Sequence, residues 1–473
     1  MDMLAAPNAR TAPPGAGAGS LTCHLVDAAR STRFEDLPDA VVRVAKHCML
    51  DWLAVALAGA HEPAARLLKD ELVTPGTSGP CTLLDGSTAG AREAAFVNGT
   101  AGHALDFDDV VWVMTGHPTA PLLPAVLAVG ELTDASGRDL LTAFVAGFET
   151  ESRIGAAVAP GHYDVGFHAT ATLGTFGAAA GSARLLELDR DQWQHALGIA
   201  ATTAAGLKSM FGSMCKPMHA GNAAAQGVLA ARLAGRGFTA AVDVLERSQG
   251  FGPTHTATFD PPAGMTAFGT PWYVREVLFK FHAACFLTHS TIEGLLQLKK
   301  TEHLAADDVD EVVLWVDPGH LAVCNIAEPR SGLEAKFSLR FTAAMALLTG
   351  RTDEAAFTDE VVTDPRFTAL RDRVRVEPAP GRPAHETDVQ VRTRDGRTLG
   401  AQVDMQRWAA DDELDAQERR LVAKFHSLVG TGKAAERLLD AVLRVEELSS
   451  VRELTRLAAD VARAGSGPEG GRA

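Results

Sequence analysis

The pattern of apolar positions divides the chain into a long helical part and a shorter mixed part. From about residue 21 to residue 250, Ala, Leu and Val recur at helical spacing, with Gly, Pro or Asp near most segment ends. The segment Ala40–Ala60 changes from an amphipathic to an almost wholly apolar helix, which is typical of a helix that enters a core. Further helices are predicted at 121–134, 140–155, 169–188, 192–207 and 221–237.

The mixed part follows a stretch rich in Pro, Gly and Thr at 252–271. Strands are predicted at 310–317, 372–379 and 387–404, and the last alternates around an Asp-Gly pair as a β-hairpin does. Helices are predicted at 288–300 and 334–350, and helical spacing returns over 412–463. The sequence therefore predicts a mainly α protein, with a large all-helical domain and a smaller α+β domain.

The same pattern suggests where the domains begin and end. We predict a helical domain over 21–268, an α+β domain over 269–404, and C-terminal helices over 405–465 that pack back on the helical domain. Residues 1–20 and 466–473 are rich in Ala, Pro and Gly and are predicted to be disordered tails.

The composition excludes several classes of protein. The 473 residues carry 44 Lys and Arg against 59 Asp and Glu, a net charge of −15, which is the wrong sign for neutralising nucleic-acid phosphates. No apolar run reaches the roughly 20 residues that cross a bilayer, and residues 1–20 lack the pattern of a secretory signal. The six cysteines form no CxxC pair. We therefore predict a cytoplasmic protein with reduced thiols and without nucleic-acid or membrane partners.

A first cluster of candidate catalytic residues contains two histidines and three aspartates: His103, Asp106, Asp108, Asp109 and His117. On a helix, His103 and Asp106 would share a face, whereas His117 precedes a proline and a predicted helix, whose positive end favours an anionic substrate. The alternative is an Asp-rich turn that only caps this helix. The spacing matches neither an EF-hand loop nor an HExxH pair, so no metal site is predicted.

Two further clusters lie beside Ala-rich helices. His168 directly precedes one such helix, whose small side chains leave its first turn accessible. Lys216 stands before a proline, and His219 and Asn222 are predicted to precede the next helix. Burial lowers the pKa of a lysine unless an anion is bound, and with Lys208 nearby the pattern indicates a carboxylate-binding pocket. The alternative is a pair of surface lysines with buried stems.

A last cluster, FKFHAACFLTH at 279–289, places His282, Cys285 and His289 among apolar residues. For Cys285, the alternative to a functional role is that it fills core volume. Motifs for a serine nucleophile, a phosphate-binding loop or a dinucleotide site do not occur in the context they require. No nucleotide or flavin site is therefore predicted.

Taken in order, several segments resemble the MmgE/PrpD family: GHALDFDD, GHPTAPLLPA, GFHATATLGTFGAAAG, KPMHAGNAAAQGVLAA, FKFHAACFLTH and LEAKFSLRF. The resemblance covers about residues 21–422, and KPMHAGNAA and FDD–GHP are its most specific parts. It implies a large all-helical domain with a smaller α+β domain, a homodimer, and catalysis without a metal or organic cofactor. The family includes 2-methylcitrate dehydratase, cis-aconitate decarboxylase and iminodisuccinate epimerase.

The resemblance also implies roles for individual residues. His117, His168 and Lys216 match residues that line the family's pocket, and we take them as the catalytic set. Cys285 stands where decarboxylase and dehydratase members place a histidine, so the chain departs from their pattern there. The residues assigned to substrate binding are His103, Asp106, Lys208, His219, Asn222 and Cys285.

These assignments suggest chemistry beside a carboxylate of a small di- or tricarboxylic acid. Such chemistry needs cations to hold the acid groups, for which we assign Lys216 and His219, and groups that exchange protons near neutral pH. His117 and His168 are assigned that second role. The leading hypothesis is a cofactor-independent lyase that catalyses dehydration. An epimerase, a decarboxylase and a non-catalytic carboxylate-binding homologue are the alternatives.

Overall fold

The computed structural model describes residues 20–74 and 79–465. In the first part of the chain the helices are α1 (Leu21–Ser31), α2 (Asp39–Gly59), α3 (Pro63–Leu72), α4 (Ala91–Ala104), α5 (Thr119–Thr133), α6 (Gly137–Val158), α7 (Gly161–Val165), α8 (Ala169–Leu185), α9 (Arg190–Thr203), α10 (Cys215–Ala234), α11 (Phe251–His255) and α12 (Pro261–Gly264). Between α3 and α4, β1 (Cys81–Thr82) and β2 (Thr88–Ala89) form a short antiparallel pair.

The second part of the chain combines a sheet with shorter helices. Its strands are β3 (Val309–Val316), β4 (Val374–Pro378), β5 (Glu386–Thr393) and β6 (Thr398–Asp404). Its helices are α13 (His289–Thr301), α14 (His320–Val323), α15 (Gly332–Ala335), α16 (Leu339–Leu348), α17 (Asp359–Thr363), α18 (Pro365–Arg371), α19 (Leu414–Val429), α20 (Lys433–Leu443) and α21 (Val451–Gly465). The predicted fold class, a large helical domain with a smaller α+β domain, is confirmed.

Helix α10 lies at the centre of the helical part, where it packs against α4, α8 and α9. Small residues permit this close packing, because a Cβ on Gly99 of α4 would lie only 2.8 Å from the Cα of Gly221 of α10. A Cβ on Gly227 would likewise lie 2.4 Å from the Cβ of Ala178 in α8. The glycines lower the helix propensity of the segment, and tertiary packing offsets that cost.

The sheet has the strand order β4-β3-β5-β6. Strands β3 and β4 are parallel, whereas β5 is antiparallel to both β3 and β6. The predicted hairpin at 387–404 forms β5 and β6, and Gly396 adopts a positive φ of 89° in its turn. Helices α13 and α16 pack together beside the sheet.

A small apolar cluster joins the two parts of the chain. Leu105 and Phe107, from the loop after α4, pack with Ala283 and with Phe341 of α16. The loop that carries the Asp-rich segment is therefore held against the segment around residue 280. This contact places polar residues from distant stretches of sequence near one another.

The last three helices pack on the helical part, with α19 and α20 against α2, and α21 against α5. The buried Lys424 of α19 makes three polar contacts there. Its Nζ donates to Asp51 Oδ1 at 2.6 Å and to the carbonyl oxygens of Phe107 and Lys280 at 2.6 and 2.9 Å. These bonds use all three ammonium protons. Lys424 thus connects α19 with α2, with the loop after α4 and with the segment around residue 280.

We expect Lys424→Met to lower the free energy of unfolding by about 3–5 kcal/mol, because Asp51 would remain as a buried, unpaired carboxylate. Lys433→Met, at an exposed position at the start of α20, is the control and should change stability by less than about 0.5 kcal/mol. Urea unfolding monitored by circular dichroism measures both. Adding Asp51→Asn to Lys424→Met should recover part of the loss, and a fully stable single variant would contradict this account.

Several predicted boundaries differ from the structure. The predicted helix at 334–350 is interrupted between α15 and α16, where the Ser338 side chain caps α16 by accepting from the backbone N–H of Phe341. Helix α10 starts at Cys215, so Lys216, His219 and Asn222 lie within the helix rather than before it. Lys216 occupies its first turn, where the following proline is tolerated.

The predicted tails fall almost wholly outside the described residues. The exception is Ser20, whose side chain caps α1 by accepting from the backbone N–H of Cys23. No helix in the described part of the chain is both long and apolar enough to span a bilayer.

Candidate active site

A cavity of about 400 Å³ lies where the helical part meets the α+β part. Its wall includes the loop after α4, α7, the loop before α10, and residues of the second part of the chain. The volume is within the range of small-molecule sites, about 300–1,000 Å³. Its basic and acidic lining residues include Asp106, His117, His168, Lys208, Lys216 and Lys280.

Asp106 links two lysines in this cavity. Helix α4 ends at Ala104, and the chain turns through Asp106 with a positive φ of 52°, which aspartate tolerates better than most residues. Its Oδ1 accepts from Lys216 Nζ at 2.5 Å and from Lys280 Nζ at 3.0 Å. Burial alone would raise the Asp106 pKa, but the two ammoniums outweigh it and hold the pKa well below its usual range. Two cations therefore share one carboxylate.

Asp108 organises two histidines in the same way. His103 Nδ1 donates to the Asp108 carboxylate at 2.9 Å, and His117 Nδ1 lies 3.1 Å from it. Burial lowers the pKa of His103 to about 4 and also lowers the pKa of His117, so both rings are neutral at pH 7. The position of Asp108 favours a proton on Nδ1 of His117. The His117 Nε2 is then left with a free lone pair, 3.7 Å from Asp106 Oδ1.

A second histidine pair lies beside the first. His168 precedes α8 directly, and its Nδ1 lies 3.1 Å from Nδ1 of His219 on α10. Burial lowers the pKa of both rings, that of His168 most strongly, which leaves them neutral. The ring of His168 stacks on His103 with centroids 5.8 Å apart. The four imidazoles therefore form one continuous, uncharged group beside the lysines.

Three helices begin at this cavity. Helices α5, α8 and α10 start within two residues of His117, His168 and Lys216, respectively. Each helix contributes the positive end of its dipole, which favours a bound anion. The Thr170 hydroxyl accepts from the backbone N–H of His117 at 3.0 Å, and so connects the start of α8 to that of α5.

The spacing of His103, Asp106, Asp108 and His117 would admit a metal ion, because one ligand atom from each lies within 4.8 Å of the others. The contacts already made argue against that use. Asp106 Oδ1 is bonded to two ammonium groups, which would repel a cation, and Asp108 is in contact with two imidazoles. The donors therefore fit a hydrogen-bonded cluster better than a metal site.

Asp109 has the helix-capping role that was the alternative interpretation of the Asp-rich segment. Its carboxyl accepts from the Thr119 hydroxyl at 2.5 Å and from the Thr119 backbone N–H at 3.4 Å, at the start of α5. Burial, together with the nearby Asp51, raises its pKa to about 8. Of the three aspartates, Asp106 lines the cavity, Asp108 contacts two histidines of the site, and Asp109 supports the helix.

The raised pKa of Asp109 predicts a pH-dependent contribution to stability. Folded Asp109 holds its proton up to about pH 8, whereas the unfolded side chain releases it near pH 3.8. The stabilisation is therefore complete below pH 3.8 and lost as pH rises towards 8, at about 1.4 kcal/mol per pKa unit. Relative to Asp109→Asn, which does not titrate, wild-type unfolding free energy should fall over this window. Urea unfolding at several pH values measures the difference, with the exposed cap variant Asp189→Asn as control. A flat difference curve would contradict the prediction.

The other residues singled out from the sequence are placed as follows. Lys208 and Cys285 line the cavity, whereas Asn222 does not and instead accepts from Gln226 on the same helix. Cys285 is buried, and a hydrogen bond with Cys324 is the main cause that lowers its pKa. Neither His282 nor His289 is among the residues that line the cavity.

Several lining residues were not selected from the sequence, and Lys280 and Tyr163 are two of them. Lys280 was quoted within its motif but not selected, although a single lysine between aromatic residues in an apolar segment signals a buried charge. Tyr163 is one of only two tyrosines in the chain and lies five residues before His168. Both residues reach the cavity only through the tertiary fold.

Family models match the chain in two blocks that flank this cavity. Residues 24–263 match the MmgE/PrpD N-terminal domain and residues 282–447 match the MmgE/PrpD C-terminal domain. The chain belongs to the MmgE/PrpD family. Lys280 lies in the short segment between the two matches, so the cavity of this family member is built from both domains and their connection.

Named relatives of this MmgE/PrpD protein extend over most of its length. A cis-aconitate decarboxylase-like protein of Aspergillus oryzae is 27% identical over 93% of this chain and 97% of its own. Cis-aconitate decarboxylase of Mus musculus is 27% identical over 93% of both chains. A 2-methylcitrate dehydratase of Cupriavidus necator is 27% identical over 75% of this chain and 77% of its own. Decarboxylases and dehydratases of this kind are lyases.

Proposed function

We propose that this protein is a lyase that breaks a bond beside a carboxylate of a small di- or tricarboxylic acid. The observation that carries the proposal is the contact of Lys216 and Lys280 with the single carboxylate of Asp106, next to the neutral His117. Among Asp106, Lys216 and Lys280, the two ammoniums exceed the carboxylate by one positive charge, which attracts an anionic substrate, whereas the Asp108 carboxylate is in contact with His103 and His117. A neutral imidazole beside that charge is able to accept a proton.

Substrate binding would begin with a carboxylate near the two lysines. Each ammonium has three N–H donors, and Asp106 uses one from Lys216. The N-termini of α5, α8 and α10 add to the positive potential there. The bound carboxylate would place the adjacent carbon close to His117 and His168, within a largely buried site that strengthens these charge interactions.

Proton transfer is the step that the histidines would perform. Asp108 fixes the orientation of His117 and favours the tautomer whose Nε2 is free to take a proton. The His168–His219 pair would supply or remove the second proton, since one ring must donate and the other accept in their contact. Positioned acid–base groups of this kind contribute typically about 10²–10⁴-fold each.

Two lyase reactions are candidates for this site. In decarboxylation a C–C bond breaks, carbon dioxide leaves, and the carbon that keeps the electron pair takes a proton. In dehydration a base removes a C–H proton, the electron pair forms an alkene, and the hydroxyl leaves as water with a second proton. Dehydration is the leading hypothesis from the sequence, and the Cupriavidus necator relative supports it. The relatives that span 93% of the chain support decarboxylation, and we propose it first.

One substrate panel distinguishes these reactions. The purified protein would be incubated with cis-aconitate, 2-methylcitrate and iminodisuccinate in deuterated water. Carbon dioxide release indicates decarboxylation, a new ultraviolet-absorbing alkene from 2-methylcitrate indicates dehydration, and deuterium in recovered substrate without other change indicates epimerisation. We expect one of the first two outcomes. Epimerisation alone, or calorimetric binding of these acids without any turnover, would contradict the lyase proposal.

A further inference from the structure

Lys208 differs from the other two lysines of the cavity. Lys216 and Lys280 both bond to Asp106, whereas within the described residues no carboxylate oxygen lies within 4.0 Å of Lys208 Nζ. The Lys208 ammonium donates to the backbone carbonyl of Tyr163 at 3.0 Å and lies 3.6 Å from the centre of the Tyr163 ring. This lysine therefore carries a positive charge that no carboxylate in direct contact neutralises.

The backbone holds Lys208 in a fixed position relative to the candidate catalytic residues. The Lys208 backbone N–H donates to the carbonyl of Gly166 at 2.9 Å, and the His168 backbone N–H donates to the carbonyl of Gly206 at 3.0 Å. Phe167 and Leu207 form a short antiparallel bridge between these two bonds. The Lys208 segment is thus paired directly with the segment that ends in His168.

Tyr163 contacts Lys208 and lines the same cavity as Asp106. Its ring is covered by the Lys208 ammonium, and its phenol lies within electrostatic range of Asp106 and Cys285, which help burial to raise its pKa. The cavity is therefore bounded by one cationic group at Asp106 and by a second, separate cation beside the same tyrosine. A ligand with one carboxylate satisfies only one of them.

Partial burial removes part of the hydration of the Lys208 ammonium and so disfavours its charged form. Burial lowers its pKa, and the nearby carboxylate of Asp164 opposes that shift only through space. A carboxylate in contact with Nζ would replace the lost hydration and accept from the N–H groups that Tyr163 leaves free.

We propose that Lys208 binds a second, non-reacting carboxylate of the substrate and thereby selects dicarboxylic and tricarboxylic acids over monocarboxylic ones. This inference rests on the proposed function, since it assigns the reacting carboxylate to the Lys216–Lys280 side. Lys208 touches the substrate away from the reacting carbon, so its removal should weaken binding more than it slows the chemical step.

Calorimetry with unreactive acids tests Lys208 without turnover. The probes are glutarate and adipate, which span two lengths, and the monoamide of each, which has nearly the same shape but a single carboxylate. Wild-type protein should prefer at least one diacid to its monoamide by about 10–100-fold, the typical value of a hydrogen bond to a charged group. In Lys208→Met this preference should fall to about twofold, with the monoamide affinity unchanged.

Lys299→Met is the matched control. Lys299 also donates to a backbone carbonyl, that of Leu347 at 2.6 Å, and burial also lowers its pKa, but it lies on α13 outside the cavity. This variant should keep the wild-type preference. An unchanged preference in Lys208→Met, an equal loss for diacid and monoamide, or a wild-type protein that does not distinguish them would overturn the inference.

A turnover assay separates this result from the proposed function. If one acid of the substrate panel reacts, Lys208→Met should raise its KM by about tenfold or more and change kcat by less than about threefold. Selective diacid binding without any turnover would leave the Lys208 assignment standing and contradict the lyase proposal. Turnover with unchanged KM in Lys208→Met would support the lyase and contradict the Lys208 assignment.

Discussion

His117→Gln should lower kcat by about 10²–10⁴-fold, the typical contribution of a positioned acid–base group. Glutamine can still donate to Asp108 and fill most of the ring volume, but it cannot accept a proton at neutral pH. The fold should be kept, because the backbone N–H of His117 bonds to Thr170 whatever the side chain. Steady-state kinetics on the reacting acid, together with thermal unfolding, measure the two effects separately.

The pH profile gives a second measure of the same residue. Burial places the pKa of His117 below the ordinary value of 6.5. The loss of kcat/KM on the acid side of the pH profile should therefore occur below pH 6.5, and it should be absent in His117→Gln. His195→Gln is the control, since His195 contacts the Ala240 backbone and is not among the residues that line the cavity. Wild-type turnover in His117→Gln would remove His117 from the mechanism.

Lys216→Met should lower kcat/KM by about 10²–10³-fold. The variant removes one of the two ammoniums that oppose Asp106, so the remaining Lys280 only balances that carboxylate and no excess positive charge is left at Asp106 for the reacting carboxylate. The expected size is that of losing one charged donor from a preorganised anion site. The effect differs from that of Lys208→Met, because kcat should fall together with the affinity.

Binding and structural controls separate this loss from misfolding. Lys299→Met, which removes a half-buried lysine outside the cavity, should keep wild-type kinetics. Lys216→Met combined with Asp106→Asn should recover part of the affinity for the acid, since the negative charge that competes with the substrate is removed as well. Lys216→Met with kcat/KM within twofold of wild type would contradict the assigned role.

The segments that form the site could be recognised in the sequence because each places charged or imidazole side chains beside an apolar or Ala-rich helix. His103, Asp106, Asp108 and His117 concentrate acid and imidazole groups beside an apolar helix, and Lys216 stands just before an Ala-rich segment. Their pairing was not visible. Asp106 was expected to share a helix face with His103, but it adopts a left-handed conformation after the helix ends and contacts Lys216, 110 residues away. Ion pairs between distant residues produce no repeating pattern in the sequence, so the sequence does not predict them.

Lys280 and Lys424 are two further residues whose partners could not be predicted from the sequence. Each is a single charge in an apolar setting, which indicates burial but not a partner. Lys280 is bonded to Asp106, and Lys424 supports the backbone of both segments from behind. Only the packing of α19 against α2 brings Lys424 to that position.

The sequence by itself determined the fold class, because helical spacing, the Asp-Gly hairpin and the order of the family segments are local properties of the chain. It also supplied six of the lining residues, which are Asp106, His117, His168, Lys208, Lys216 and Cys285. The tertiary structure decided which of them are in contact. Asp106 contacts two lysines, Asp108 contacts two histidines, and Lys208 contacts no carboxylate among the described residues. Such partnerships depend on burial and on distances between remote segments, which set charge and pKa and which no local pattern encodes.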